Sequence, residues 1–140
     1  MNKVYYFAYG SNMSIDRLEE RVGRVRRIGV RELKGFELKF NYGNFFESFA
    51  NLVLNANKSV TGILYEITEN QLEILDYFEG AHIPHLCYYR LATTINGLKC
   101  YYYISFNIRR EFKKPVRYSY LRHIVQGYKE NNLNFNLKVK

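Results

Sequence analysis

A dense apolar segment near the N-terminus runs directly into a turn of small polar residues. Val4 to Tyr9 consists mainly of Val, Tyr and Phe, which favour a buried β-strand. Gly10, Ser11 and Asn12 follow without a linker; glycine permits backbone dihedrals closed to other residues, and Ser and Asn can bond their own backbone. Ser14 is a candidate N-cap for a following helix. This order of strand, turn and helix N-terminus predicts backbone N–H groups that can bind a carboxylate or a developing oxyanion.

Length and composition indicate one globular domain. The chain has 140 residues, 47% of them hydrophobic, so we expect a single domain over residues 1–140 with a substantial core. The net charge of +8 favours acidic small molecules, anionic surfaces or nucleic acid without distinguishing among them. The N-terminus lacks the pattern of a signal peptide, and no stretch approaches the roughly 20 apolar residues that span a bilayer. We therefore expect a cytoplasmic protein with no membrane partner.

The spacing of apolar residues predicts an α+β fold, with one mixed, curved sheet or small β-barrel surrounded by helices. The predicted strands lie near Val4 to Tyr9, Phe36 to Tyr42, Asn51 to Asn55, Thr61 to Ile67, Tyr88 to Ile95 and Leu98 to Phe106. The predicted helices lie near Ser14 to Arg21, Thr68 to Glu79 and Ser119 to Glu130.

The pair Asn96-Gly97 predicts a β-hairpin with a type I′ turn. In that register Cys100 faces Thr93, which leaves Cys87 about 20 Å away at ~3.3 Å per residue along the strand. A disulfide between the two cysteines is not expected at that separation. We expect two reduced core thiols, as in a reducing compartment.

The helix predicted before Gly80 has recognisable signals at both ends. Thr68 and Gln71 have the spacing of a capping box, and Gly80 suits the left-handed position after the last turn. The buried stripe that begins at Leu72 reaches Glu79 by steps of three and four residues. Burial and the negative end of the helix dipole both raise the pKa of a carboxyl group there. Glu79 is thus a candidate acid/base, the alternative being a solvated charge at a frayed helix end.

Two motifs taken together resemble the gamma-glutamylcyclotransferase family. They are Phe-Ala-Tyr-Gly-Ser-Asn at residues 7–12 and Leu-Asp-Tyr-Phe-Glu-Gly at residues 75–80. The resemblance extends over nearly the whole chain. It includes the segments Met13 to Arg21, Phe36 to Phe40, Asn51 to Leu54, Val60 to Tyr65 with Gly62, and Pro115 to Tyr120 followed by Ile124 and Gly127.

The resemblance implies a gamma-glutamylcyclotransferase-like domain and a set of site residues. Glu79 is similar to the general acid/base of the family. The loop that binds the glutamyl group corresponds to Tyr9, Gly10, Ser11, Asn12 and Met13. Tyr120 is similar to a tyrosine that closes the pocket, and a second such tyrosine corresponds to Tyr88 or Tyr89, of which we assign Tyr89.

The implied reaction needs no cofactor and no protein nucleophile. The free alpha-amine of a gamma-glutamyl amino acid or gamma-glutamyl amine attacks the side-chain carbonyl, which gives 5-oxoproline and releases the attached amine. Glu79 can carry out both proton transfers, while N–H groups of the loop hold the oxyanion. The expected partner is thus a small-molecule gamma-glutamyl substrate.

Other patterns in the sequence are weaker. Ser11 lacks the Gly-x-Ser-x-Gly context of a nucleophile, so we predict that it donates a hydrogen bond or shapes the turn. His82 and His85 have no third ligand placed by the sequence, so we expect no metal site.

Two runs of basic residues are interpreted as solvated faces, and we expect no nucleic-acid partner. The first includes Arg21, Arg24, Arg26, Arg27 and Arg31, and the second Arg109, Arg110, Lys113, Lys114 and Arg117. A homodimer is left open. The alternative to an enzyme is a non-catalytic member of the fold that binds a small acid or RNA through these faces.

Overall fold

The computed structural model describes residues 2–43, 48–79, 88–105, 116 and 118–134, which form a curled five-stranded sheet with three helices. The elements are β1 (Lys3–Ala8), a 3-10 turn (Ser11–Met13), α1 (Ile15–Val22), β2 (Arg26–Gly43), β3 (Ser48–Thr68), α2 (Glu69–Glu79), β4 (Tyr89–Ile95), β5 (Leu98–Ile104) and α3 (Tyr118–Glu130). This is the predicted α+β class. Within these ranges, no helix is long and apolar enough to cross a membrane.

The sheet combines parallel and antiparallel pairs in the order β2-β3-β1-β5-β4. The central strand β1 is antiparallel to β3, with Tyr6 opposite Tyr65, and parallel to β5, with Tyr6 opposite Tyr101. Across the described residues the sheet curls but does not close. The prediction of one mixed, curved sheet is therefore confirmed, and the alternative of a small β-barrel is wrong.

The two longest strands extend beyond their predictions. β3 runs unbroken from Ser48 to Thr68 and unites two predicted strands, whereas β2 begins at Arg26, well before Phe36. Between Lys34 and Phe36 the register shifts at Gly35, which has a φ of 89°. A glycine in the left-handed region lets a strand bulge and bend without ending. A segment interrupted by charges and glycines can therefore continue as a strand.

The predicted hairpin is confirmed. Asn96 and Gly97 have φ values of 50° and 81°, as a type I′ turn requires, and Thr93 pairs with Cys100. Cys100 is a buried free thiol, and burial raises its pKa to about 11. Cys87 lies outside the described residues.

Two predicted helix caps are also confirmed. At the start of α1, Ser14 Oγ accepts a hydrogen bond from the Arg17 N–H at 3.4 Å. At the start of α2, Thr68 Oγ1 accepts from the Gln71 N–H at 3.1 Å, and Gln71 Oε1 accepts from the Thr68 N–H at 2.9 Å. These bonds satisfy backbone donors that a helix leaves unpaired at its first turn. The predicted C-terminal Gly80 lies outside the described residues.

Strand β1 is buried on both faces, and its side chains alternate between two apolar cores. Phe7 and Tyr9 belong to one core, which Ile124 of α3 joins. Tyr6 and Ala8 belong to the other, which α1 and α2 cover. Because successive side chains of a strand point to opposite faces, packing on both sides fixes the end of β1. The position at which the turn after β1 begins is therefore fixed by this packing.

Candidate active site

A cavity of about 290 Å³ lies beside the turn that follows β1. Residues of α1, α2, α3 and β3 complete its wall. The lining consists of aromatic side chains, small or polar residues and three charged side chains: Tyr6, Tyr9, Phe78, Tyr88, Tyr103 and Tyr120; Gly10, Ser11, Asn12 and Ala50; and Arg17, Arg21 and Glu79.

The carboxylate of Glu79, the last residue of α2, forms part of this wall. Its Oε1 accepts a hydrogen bond from Asn12 Nδ2 at 3.3 Å and lies 3.6 Å from Arg21 Nη1. Only 15% of the side chain is exposed. Burial raises the pKa of Glu79, and the opposing effects of Arg21, Arg17 and the Asn12 hydrogen bond do not cancel that shift. The structure thus places a proton-binding carboxylate next to the turn.

Asn12 links Glu79 to the interior of the cavity. Its Nδ2 also donates to Tyr6 Oη at 3.0 Å. Its Oδ1 is buried and accepts no hydrogen bond within the described part of the chain. A buried carbonyl oxygen without a donor costs about 1–3 kcal/mol, so this oxygen is an acceptor suited to a ligand's N–H.

The turn itself supplies backbone donors. The Met13 N–H donates to the Gly10 carbonyl oxygen at 3.0 Å. The N–H groups of Gly10, Ser11 and Asn12 have no acceptor among the described residues. Gly10 has a φ of −113°, outside the left-handed region, and a Cβ there would lie 3.4 Å from Ala50 and Tyr120. Both are ordinary van der Waals distances, so neither the φ angle nor a lack of space requires a glycine at this position.

Met13 differs from its predicted place in the site. Its N–H is used within the turn, its side chain is fully buried, and it is absent from the described cavity lining. The Met13 carbonyl oxygen accepts from Tyr65 Oη at 3.0 Å. Met13 therefore anchors the turn to β3 and does not face the cavity.

Tyrosine hydroxyls hold the aromatic wall together. Tyr120 Oη accepts from the Ala50 N–H at 3.0 Å, and Tyr88 Oη donates to the Ala50 carbonyl oxygen. Tyr9 Oη donates to the Tyr103 carbonyl oxygen at 2.6 Å. Burial raises the pKa of Tyr9, Tyr103 and Tyr120, so their hydroxyls stay protonated at neutral pH. These three tyrosine side chains are therefore uncharged, and the hydroxyls of Tyr9, Tyr88 and Tyr120 bond to the backbone of β3 and β5.

Tyr88 and Tyr89 lie differently with respect to the cavity. Tyr88 lines it, whereas Tyr89 lies in β4 opposite Ile104 and is not part of the described lining. The lining therefore favours Tyr88, and the assignment of Tyr89 stays a prediction. Because neighbouring residues at a strand end point to opposite faces, an alignment shifted by one residue exchanges the two.

Arg17 and Arg21 bring positive charge into the cavity from α1. Arg21 pairs with Glu79, and its guanidinium lies 5.2 Å from the centre of the Phe78 ring. The side chain of Arg21 is only 18% exposed, so the prediction of a solvated face is wrong for this residue. Arg17 was overlooked in the sequence. The available signal was its spacing of four residues from Arg21 on the helix after the turn, which puts both on one face.

A polar network fixes the last turns of α2. Tyr103 Oη donates to Asp76 Oδ1 at 2.6 Å, and Arg90 Nη1 lies 2.7 Å from Asp76 Oδ2. Asp76 precedes Glu79 by three residues and lies on the same side of the helix. These bonds to β4 and β5 therefore orient the part of α2 that carries Glu79.

Some predicted features fall outside the described residues. They include His82, His85, Phe106 and the second basic run from Arg109 to Arg117. Among the described residues, no group of three or more His, Cys, Asp or Glu side chains is arranged to hold a metal ion.

Comparison with protein families gives a match over most of the chain. The family model described as gamma-glutamyl cyclotransferase, AIG2-like, matches residues 6–121. No curated protein sequence matches the chain.

Solved structures share the fold at low sequence identity. An uncharacterized human protein is 24% identical, with a TM-score of 0.81 over 95% of this chain and 82% of that chain. A gamma-glutamyl cyclotransferase is 23% identical, with a TM-score of 0.77 over 94% of this chain and 82% of that chain. A mouse AIG2-like protein is 20% identical, with a TM-score of 0.60 over 100% of this chain and 99% of that chain. These similarities show a common fold.

Proposed function

Because the chain belongs to the gamma-glutamyl cyclotransferase, AIG2-like family, we propose that it converts a gamma-glutamyl amide to 5-oxoproline and a free amine. One observation carries the proposal: the buried Glu79 carboxylate is held by Asn12 beside a turn with available N–H donors. The substrate is a gamma-glutamyl amino acid or a small gamma-glutamyl amine. The reaction needs no cofactor, since the attacking amine and the carbonyl belong to one molecule.

Glu79 and Asn12 together suit the alpha-ammonium group of the substrate. The ionised Glu79 carboxylate and the unpaired Asn12 Oδ1 are both hydrogen-bond acceptors at the cavity wall. An ammonium group has three N–H donors and can satisfy both acceptors. Proton transfer to Glu79 then gives the neutral amine that attacks.

The turn suits the carbonyl end of the substrate. As the alpha-nitrogen bonds to the side-chain carbonyl carbon, negative charge develops on the carbonyl oxygen, and N–H groups of Gly10, Ser11 and Asn12 can stabilise it. The bond from that carbon to the leaving nitrogen then breaks. Glu79 returns its proton to that nitrogen, and the released amine takes up the second proton of the original ammonium group. A raised pKa suits Glu79 for both directions of transfer.

The aromatic wall suits a reaction that depends on substrate shape. An extended gamma-glutamyl group must fold back on itself before its amine reaches the carbonyl, and a confining site can supply that orientation. At about 290 Å³ the cavity is at the small end of ligand sites, which run from about 300 Å³ upwards. This size favours a substrate of one or two amino-acid units.

The test measures 5-oxoproline released from a panel of gamma-glutamyl amino acids and amines. We expect Glu79→Gln to lower kcat by about 100-fold or more, because glutamine cannot transfer the proton. Glu73→Gln is the matched control, since Glu73 lies on the exposed face of the same helix and should leave the rate unchanged. Undiminished activity in Glu79→Gln would contradict the role of Glu79. Absence of release from every substrate, with tight salt-sensitive RNA binding, would favour a non-catalytic binding protein.

A further inference from the structure

Arg17 carries a positive charge in the cavity wall that Glu20 and Glu79 favour only in part, because it forms no ion pair with the described residues. Its Nε is buried and donates to none of them, and their ion pairs do not include Arg17. Burial and the neighbouring Arg21 lower the pKa of Arg17, which shows that the surroundings disfavour its charge. Buried polar groups are almost always paired, and each exception calls for an explanation.

Arg21 differs from Arg17 although both lie on the same face of α1. The guanidinium of Arg21 is already engaged by the Glu79 carboxylate and the Phe78 ring. The described lining therefore contains two guanidinium groups against one carboxylate, which leaves one positive charge in excess. An excess cation in a largely uncharged, aromatic cavity attracts an anionic group of the ligand.

The number of donors in the cavity indicates which anionic group this is. A gamma-glutamyl amine has one carboxylate and one reacting carbonyl oxygen, and the free N–H groups of Gly10, Ser11 and Asn12 can serve both. In such a complex Arg17 would still form no ion pair with the described residues. A gamma-glutamyl amino acid has a second carboxylate, attached through one carbon to the leaving nitrogen. Glu79 must reach that nitrogen, and Arg17 lies in the wall of the same cavity.

We propose that Arg17 is a specificity-determining residue that binds the carboxylate of the leaving amino acid. The chain then prefers gamma-glutamyl amino acids to gamma-glutamyl amines. This inference rests on the proposed cyclotransferase function. A guanidinium group can donate two parallel N–H bonds to a carboxylate, and Nε–H supplies one of them. The substrate would thereby satisfy the donor that the protein leaves unpaired.

The test compares gamma-glutamyl-alanine with gamma-glutamyl-ethylamine, which differ only by the carboxylate of the leaving group. We expect wild-type kcat/KM to be about 10-fold or more higher for gamma-glutamyl-alanine, as for other hydrogen bonds to charged groups. Arg17→Gln should abolish that preference by raising KM for gamma-glutamyl-alanine, whereas any effect of the substitution on the pKa of Glu79 changes the rates for both substrates alike. Arg17→Lys should retain part of the preference, because lysine keeps the charge but not the planar fork.

Two controls separate this role from other effects. Arg24→Gln removes the same charge from an exposed position outside the described cavity lining and should leave the preference intact. The melting temperature of unliganded Arg17→Gln should equal or exceed that of wild type, because the substitution removes a buried Nε donor that has no acceptor among the described residues.

Each contrary result identifies what has failed. An equal loss on both substrates in Arg17→Gln, with the preference for gamma-glutamyl-alanine intact, would limit Arg17 to an effect on the glutamyl group or on Glu79 and overturn the inference while the cyclotransferase stands. Equal wild-type kcat/KM on both substrates would overturn it in the same way. Absence of 5-oxoproline from both substrates with the wild-type chain would overturn the proposed function and, with it, this inference.

Discussion

The proton affinity of Glu79 results from opposing effects on one side chain. Burial raises the pKa and is the largest effect, whereas Arg21, Arg17 and the Asn12 hydrogen bond lower it. Without the two arginines, a carboxyl group in this position would stay protonated to a higher pH and would be a poorer base in neutral solution. Arg21 therefore lowers the pKa of Glu79 as well as pairing with its negative charge.

We predict that Arg21→Gln shifts the acidic limb of the pH profile of kcat/KM for 5-oxoproline release to higher pH. The substitution removes the cation 3.6 Å from Glu79 Oε1, so the protonated form of Glu79 persists to higher pH. The same profile measured for Arg24→Gln is the control for a general loss of charge. An acidic limb at the wild-type position in Arg21→Gln would show that another group limits the rate.

Contacts at the start of helix α2 help to position the Glu79 carboxylate at its end. Its start is closed by the reciprocal bonds of Thr68 and Gln71. Gln71 Nε2 also donates to the carbonyl oxygens of Val22, at 3.1 Å, and Arg24, at 2.7 Å, which ties α2 to the end of α1. Contacts at the start of α2 therefore contribute to the position of Glu79 at its other end.

For this element we predict that Thr68→Ala lowers the free energy of unfolding by about 1 kcal/mol, the usual effect of losing an N-cap. Thr68→Ser keeps the hydroxyl and should lower the free energy of unfolding much less. Gln71→Ala should lower the free energy of unfolding more than Thr68→Ala does, because Gln71 also forms hydrogen bonds to the end of α1. Urea denaturation of the variants gives the comparison, and equal losses for Thr68→Ala and Gln71→Ala would argue against the link to α1.

Two hydrogen bonds connect parts of the sheet that are not neighbours in the strand order. β3 and β5 lie on opposite sides of β1. Near the end of β5, Asn51 Nδ2 donates to the Ser105 carbonyl oxygen, and the Ser105 N–H donates to Asn51 Oδ1, both at 2.9 Å. Both residues are buried. The neighbouring Ala50 lines the cavity, so this link also positions the cavity wall.

For the whole molecule we predict that Asn51→Ala lowers the free energy of unfolding by roughly 2–4 kcal/mol, since it removes two buried hydrogen bonds to the backbone of Ser105. Asn55→Ala on the same strand is the matched control. It removes a hydrogen bond to the Glu37 side chain at a partly exposed position and should change stability by about 0.5 kcal/mol or less. Similar values for the two variants in urea denaturation would contradict the role of Asn51.

Features of the molecule that depend on local sequence could be predicted, whereas those that depend on distant contacts could not. The Ser14 cap, the Asn96-Gly97 turn and the stripe of α2 that ends at Glu79 all follow from residues a few positions apart. The extension of β2 back to Arg26 depends on pairing with β3. The entry of Arg17 into the cavity depends on how α1 packs against the other elements, which its spacing alone does not determine.

Helix α3 rests directly on the turn that carries the backbone donors. At Gly127 a Cβ would lie only 2.5 Å from Met13 Cβ and 2.6 Å from the Met13 carbonyl carbon, so the helix and the turn touch without an intervening side chain. During synthesis, residues 10–13 emerge from the ribosome long before Gly127. The turn therefore acquires the support of α3 only after that helix has been made and has docked, so the nascent chain carries the turn before the cavity beside it is complete.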